Sequence, residues 1–141
     1  MRTLKIQSRL VAAVVLGAGI LAAADVKVIA NASVTATAVS PEELKQVFLE
    51  TKSSLSDGSR VEPVLAKGGA AHEEFLKQYV GKTDAALSTY YRSLVFTGKG
   101  SMPKTLTSDA EIAAYVAKTK GAIGYVSASA DAGGAKVLQV K

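Results

Sequence analysis

Val26-Lys27-Val28-Ile29-Ala30 gathers β-branched and small apolar residues into a short run, which predicts a buried strand. Asn31 to Val39 shows no period and reads as a loop or extended connector. The pattern then becomes helical. Leu44, Val47 and Phe48 recur at i, i+3 and i+4 behind Ser40 as N-cap, Pro41 at the first helical position and Glu43 as the partner of a capping box. Ser53 to Ser59 is turn chemistry, sharpest at Asp57-Gly58, and the segment from Arg60 to Leu65 predicts a strand in which Pro63 marks an edge or an end. His72, Phe75, Leu76, Tyr79 and Val80 form the next helical stripe, closed by Gly81. Thr83 caps a third helix with Leu87, Tyr91, Leu94 and Val95 on one face.

Thr97 to Lys104 breaks that helix. Ser108 and Glu111 form a second capping box ahead of Ile112, Tyr115, Val116 and Thr119, and Gly121 stops the fourth helix. Ala122 to Val126 and Lys136 to Val140 predict two late strands around a turn at Gly133-Gly134. The order β-α-β-α-α-α-β-β, with near-continuous apolar strands, predicts an α/β domain whose mixed sheet is flanked by helices.

Ahead of this domain, Arg2, Lys5 and Arg9 precede an uncharged run of 15 residues, Leu10 to Ala24. That run is shorter than the roughly 20 apolar residues a membrane-spanning helix needs, and it ends in Ala22-Ala23-Ala24. Residues 1–24 are therefore expected to be a cleaved signal peptide, leaving 25–141 as a single domain in a periplasmic compartment. This changes the meaning of the charge. Three of the 17 basic residues and none of the 12 acidic ones lie in 1–24, so the net charge of +5 falls to +2 for the rest. A nucleic-acid partner loses its main support, and the mature form is not expected to be embedded in a membrane.

The chain has no Cys and one His, which removes thiolate catalysis, disulfides and His-rich metal sites. Gly81-Lys82-Thr83 imitates the end of a phosphate-binding P-loop, but Leu76 stands where the first glycine is required and a helix precedes it. Gly98-Lys99-Gly100-Ser101 follows a helix instead of a strand and lacks the third glycine of a dinucleotide loop. No nucleophile and base stand at a recognisable spacing, so neither an enzyme nor a cofactor is expected. His72 falls on the apolar stripe of its own helix and is read as a packed histidine in preference to a catalytic one.

The most suggestive segment is the strand ending at Leu65 that runs through Lys67, Gly68, Gly69, Ala70 and Ala71 into a helix. Backbone N–H groups at a helix start, approached through glycines without side-chain bulk and beside a lysine, suit a small anion. An ordinary strand-to-helix connection has the same composition.

Val28-Ile29-Ala30-Asn31, Leu44 to Glu50, Ser56-Asp57-Gly58, Val61-Glu62-Pro63-Val64, Phe75 and above all Gly121-Ala122-Ile123-Gly124-Tyr125-Val126 occur in an order that resembles the periplasmic phosphate-binding proteins of phosphate ABC importers. Val95-Phe96-Thr97-Gly98 to Pro103 is similar to a recurring piece of shorter members. The resemblance implies one lobe of a type II periplasmic-binding-protein fold, corresponding to the second of the two lobes that close on phosphate in full-length relatives. It also implies a site. The family's Gly-Ser-Gly-Thr phosphate loop corresponds to Gly68-Gly69-Ala70-Ala71, with His72 where an arginine is often found and Lys67 beside it. Both loop hydroxyls are missing here. The expectation is therefore an exported, substrate-binding-like protein that takes phosphate or a related small oxyanion weakly or together with a partner chain. The alternative is a ligand-free interaction module of an envelope transport or signalling assembly.

Overall fold

The structure, a computed structural model, describes residues 25–141. The expected signal peptide, residues 1–24, lies outside the described residues. The elements are β1 (Val26–Ala30), β2 (Ala38–Val39), α1 (Pro41–Phe48), β3 (Glu62–Ala66), α2 (Ala70–Phe75), α3 (Asp84–Phe96), β4 (Lys104–Leu106), α4 (Asp109–Lys118), β5 (Ala122–Ser127) and β6 (Lys136–Val140). Helix α2 runs on without a break into a π-helical stretch, Leu76–Val80, which ends where the Gly81 N–H bonds to the Leu76 carbonyl at 2.7 Å.

All six strands join in one sheet, ordered β2-β6-β1-β5-β3-β4. Strand β1 is antiparallel to both of its neighbours, β6 and β5, while β2 runs parallel to β6 and β3 runs parallel to both β5 and β4. Five strands thus point one way and β1 the other. The two late strands are not a hairpin, because β1 lies between them. This is the mixed sheet with flanking helices that the element order predicts, with two strands added. Strand β2 arises within the expected connector and β4 within the expected break, each held by a neighbour far away in sequence, β6 and β3.

Pro63 fits its place for a physical reason. Pairing of β3 with β4 begins one residue later, at Val64 opposite Lys104, so the missing N–H removes no ladder bond on that side. Helix α4 covers one face of the sheet, where Ile112 and Val116 meet Gly124. Helices α1 and α2 cover the other, where Phe48 and Phe75 pack on Tyr125. Strand β5 is buried on both faces from Ala122 to Val126, which explains its uninterrupted apolar run.

Ser40, Thr83 and Ser108 cap their helices as expected, each side chain accepting from the N–H three residues on. The two glutamates of the capping boxes do something else. Glu43 is buried and accepts from the Ser56 N–H, tying the 53–59 turn to α1, while Glu111 accepts from the N–H and hydroxyl of Thr107 at 3.1 and 2.8 Å. Helix α3 is fastened through Tyr90 and Tyr91, whose hydroxyls donate to the carbonyls of Leu49 and Phe48 at the end of α1. Its expected face is only partly covered: Leu87 and Tyr91 are buried, but Val95 is 48% exposed and neighbouring Phe96 is 93% exposed.

Candidate functional site

Residues Lys67 to Gly69 leave the carboxyl end of β3 and α2 begins at Ala70. Carboxyl ends of parallel strands are where open α/β sheets present ligands. Gly69 has φ of 99°, a conformation that L side chains rarely adopt, and a Cβ added there would meet nothing within 4 Å. The glycine is required by backbone geometry, not by crowding. As the cap residue of α2 it offers no side-chain bond, unlike Ser40, Thr83 and Ser108 on the other helices. The N–H groups of the first turn are therefore left for solvent or a ligand. Lys67 to Ala70 are exposed and Ala71 is half-buried.

Lys67 also faces an acid. The carboxyl of Glu111 is held below its usual range by the hydroxyl and N–H of Thr107, and to a lesser extent by the charge of Lys67.

His72 does not line the loop with the other five candidate residues. Its side chain is 2% exposed, turned into the core as its place on the apolar stripe requires, and both ring nitrogens are engaged. Nδ1 meets the Tyr125 hydroxyl, and Nε2 lies 2.7 Å from Asp84 Oδ1 at the start of α3. The Tyr125 hydroxyl in turn accepts the Ala66 N–H at 3.0 Å. One arrangement of protons satisfies every atom: Ala66 N–H donates to the tyrosine oxygen, its O–H donates to Nδ1, and Nε2–H donates to the carboxylate. An aspartate, a histidine and a hydroxyl follow one another as in a hydrolase triad, but this hydroxyl is buried under Phe75, whose ring lies 3.9 Å away in a stack. Burial, aided by the charge of Asp84, pushes the Tyr125 phenol well above its ordinary range, which is the reverse of an activated nucleophile.

Tyr125 and Asp84 are the members of this group that pattern reading passes over. The signal that finds them is a polar tip without a partner: a buried Tyr hydroxyl and a buried His ring must each be satisfied.

A second concavity lies at the other end of the strands. It encloses about 660 Å³ between the amino ends of β3, β4 and β5, bordered by Glu50, Arg60, Glu62, Lys104, Tyr115 and Lys120. Burial, and then the charge of Glu62, raises the carboxyl pKa of Glu50. Mixed charges partly cancel the field an anion would feel there.

No family model matches the chain, and no curated protein matches it in sequence. Solved structures do. An ABC-type phosphate transport receptor from Vibrio cholerae superposes with a TM-score of 0.61 at 16% identity, over 82% of this chain and 45% of the receptor. The fold is that of part of a phosphate receptor. A phosphate ABC transporter substrate-binding protein from Clostridium perfringens, solved with phosphate bound, matches with a TM-score of 0.58 at 16% identity, over 82% of this chain and 44% of that protein. The chain thus spans less than half the length of the receptors whose fold it shares. This agrees with the fold implied by the resemblance that the Gly121–Val126 block carries. Among the described residues, no helix is long and apolar enough to cross a membrane.

Proposed function

We propose that residues 25–141 act as an exported substrate-binding-like lobe, related to the receptors of phosphate ABC importers, that holds phosphate or a similar small oxyanion on the loop Lys67-Gly68-Gly69-Ala70-Ala71. The observation that carries this reading is the uncapped start of α2 at the carboxyl end of β3, opened by Gly69 at φ 99° beside exposed Lys67. The shared receptor fold supports it. His72 serves beneath the loop and not as a ligand. The affinity is weak, because the loop lacks the two hydroxyls of the phosphate-binding family.

The test restores donors where the backbone permits. Serine at position 69 would be strained at φ 99°, so the hydroxyls belong at Ala70→Ser and Ala71→Thr. Charge-assisted hydrogen bonds contribute about 1.5–3 kcal/mol each, and imperfect aim reduces a pair to roughly 1–3 kcal/mol, or about 5- to 150-fold in Kd. Calorimetric titration with phosphate at fixed ionic strength should show this gain, and Lys67→Ala should weaken binding. If the folded double variant and the parent both bind no phosphate at millimolar concentrations, the loop is a connection. The interaction-module reading then stands in its place.

A further inference from the structure

We infer that Tyr125 is a positioning residue for the 67–71 loop: one buried hydroxyl fastens the loop at both ends, by accepting from the Ala66 N–H on its β3 side and by bonding His72 on its α2 side.

Three observations meet at that oxygen. First, the registered pairing of β3 with β5 stops at Pro63 opposite Ile123, while on the other side β3 stays paired with β4 as far as Ala66 opposite Leu106. Backbone N–H groups alternate sides along a strand. Glu62 donates toward β5, to the Gly121 carbonyl, and Lys67 donates toward β4, to the Leu106 carbonyl. Ala66 has the parity of Glu62, so its N–H points into the gap that opens between β3 and β5. The Tyr125 hydroxyl fills this gap at 3.0 Å. A buried N–H left there without a partner would be costly.

Second, the same hydroxyl meets Nδ1 of His72, in the first turn of α2. The five residues between Ala66 and His72 are the proposed anion loop. Its two ends are thereby tied through a single atom that projects from a different strand. Third, the clamp is itself held. Phe75 stacks on the Tyr125 ring at 3.9 Å, Phe48 packs at 5.8 Å, and the far nitrogen of His72 is anchored by Asp84 on α3. A buried ring packed against Phe75 and Phe48 has little freedom to swing its hydroxyl away. The tyrosine in the Gly121–Val126 block thus does more than fill the core: it sets where the loop's N–H groups point.

The anion arm of the test rests on the proposed function, whereas the clamp itself is read without any anion. In the wild-type protein, two-dimensional nitrogen-proton NMR of His72 should show both ring nitrogens hydrogen-bonded, Nε2 as donor and Nδ1 to the Tyr125 hydroxyl. An Nδ1 that makes no hydrogen bond overturns the clamp, and this measurement needs no variant. In Tyr125→Phe, the Ala66 amide should exchange with solvent at least about tenfold faster, and backbone order parameters of residues 67–71 should fall from about 0.85 toward 0.6. Val116→Ala, which destabilises the core from the opposite face of the sheet, serves as the control and should leave those order parameters in place. If Tyr125→Phe changes residues 67–71 no more than Val116→Ala does, the tyrosine is only a core residue. Phosphate affinity should drop about 5- to 20-fold in Tyr125→Phe, with Phe still filling the ring site. Should the wild type bind no phosphate while the NMR signatures hold, the functional reading fails and the clamp survives.

Discussion

Gly124 sits in the middle of β5, where a single methyl group decides how closely α4 can approach. A Cβ built there would lie 3.2 Å from Ile112 Cγ2, 3.4 Å from Val116 Cγ2 and 3.5 Å from Val64 Cβ. All three neighbours are buried core atoms, and Ile112 and Val116 are β-branched, so neither can turn aside at χ1 without leaving its preferred rotamer. Gly124→Ala must therefore push α4 off the sheet by a few tenths of an ångström. Overpacking of this kind costs about 1–3 kcal/mol, while removal of glycine from the unfolded chain returns about 0.4–1 kcal/mol. The net loss expected is roughly 0.5–2 kcal/mol, which for a domain of this size lowers Tm by about 2–10 °C.

Urea and thermal unfolding of residues 25–141 measure this. Gly68→Ala is the matched control: its Cβ meets nothing within 4 Å and its φ is not positive, so stability should be unchanged or slightly higher. Ile112→Ala removes the Cγ2 atom that lies nearest, at 3.2 Å. Combined with Gly124→Ala it should show a favourable interaction of at least about 0.5 kcal/mol in a double-mutant cycle. A Gly124→Ala protein as stable as wild type, or effects that simply add, would refute the close-approach argument.

Two further predictions concern the turn and the third helix. The Asp57 carboxyl accepts from the hydroxyls of Thr35 and Ser59 and from the Ser59 N–H, which lowers its pKa from 3.8 to about 2, so its contribution is fully present above about pH 4 and is lost as pH falls through 2; a carboxyl NMR titration should find that value, and Asp57→Ala should flatten the acid limb of the stability curve. Tyr91→Phe leaves the Phe48 carbonyl without its buried donor and should cost about 1–3 kcal/mol in urea unfolding, with no change in the β-sheet signal of circular dichroism.

Helix starts and the main strands were legible because their causes are local. Ser40, Thr83 and Ser108 sit within three residues of the N–H groups they cap, and β5 announces itself by five consecutive buried positions. Strands β2 and β4 were not legible, since two and three residues of mixed character become strands only when β6 and β3 are beside them. Nor was the sheet order: nothing in Val26 to Ala30 says that this strand separates β5 from β6 and runs against both. The strand-to-helix turn was visible as Lys67-Gly68-Gly69, because glycine composition reports backbone freedom directly. His72 shows where two signals conflict. Alignment with the arginine of the phosphate-binding family points it at the ligand, whereas its place three residues before Phe75 points it inward. The stripe prevailed, because an imidazole that finds Tyr125 and Asp84 can be buried at little cost.

If the loop holds an anion as proposed, affinity should rise steeply once a second surface covers it. Lys67 to Ala70 are exposed, so an anion seated there keeps water on its outer side. A unit charge about 4 Å from the lysine ammonium gains only about 1 kcal/mol in bulk water, but about 4 kcal/mol at the effective dielectric near a covered protein surface. If the proposed reading holds, the first-turn N–H groups of α2 are similarly screened and the open loop is expected to bind near millimolar, about 4 kcal/mol in all. Covering it strengthens the lysine and the N–H groups together and removes the competing solvent. The receptors of the same fold are more than twice as long as the part this chain matches, which is the length in which such a cover can be built into one polypeptide. If the loop holds phosphate as proposed, affinity measured with a covering surface present should exceed the value for residues 25–141 alone by the factor that water exclusion supplies, while salt sensitivity falls.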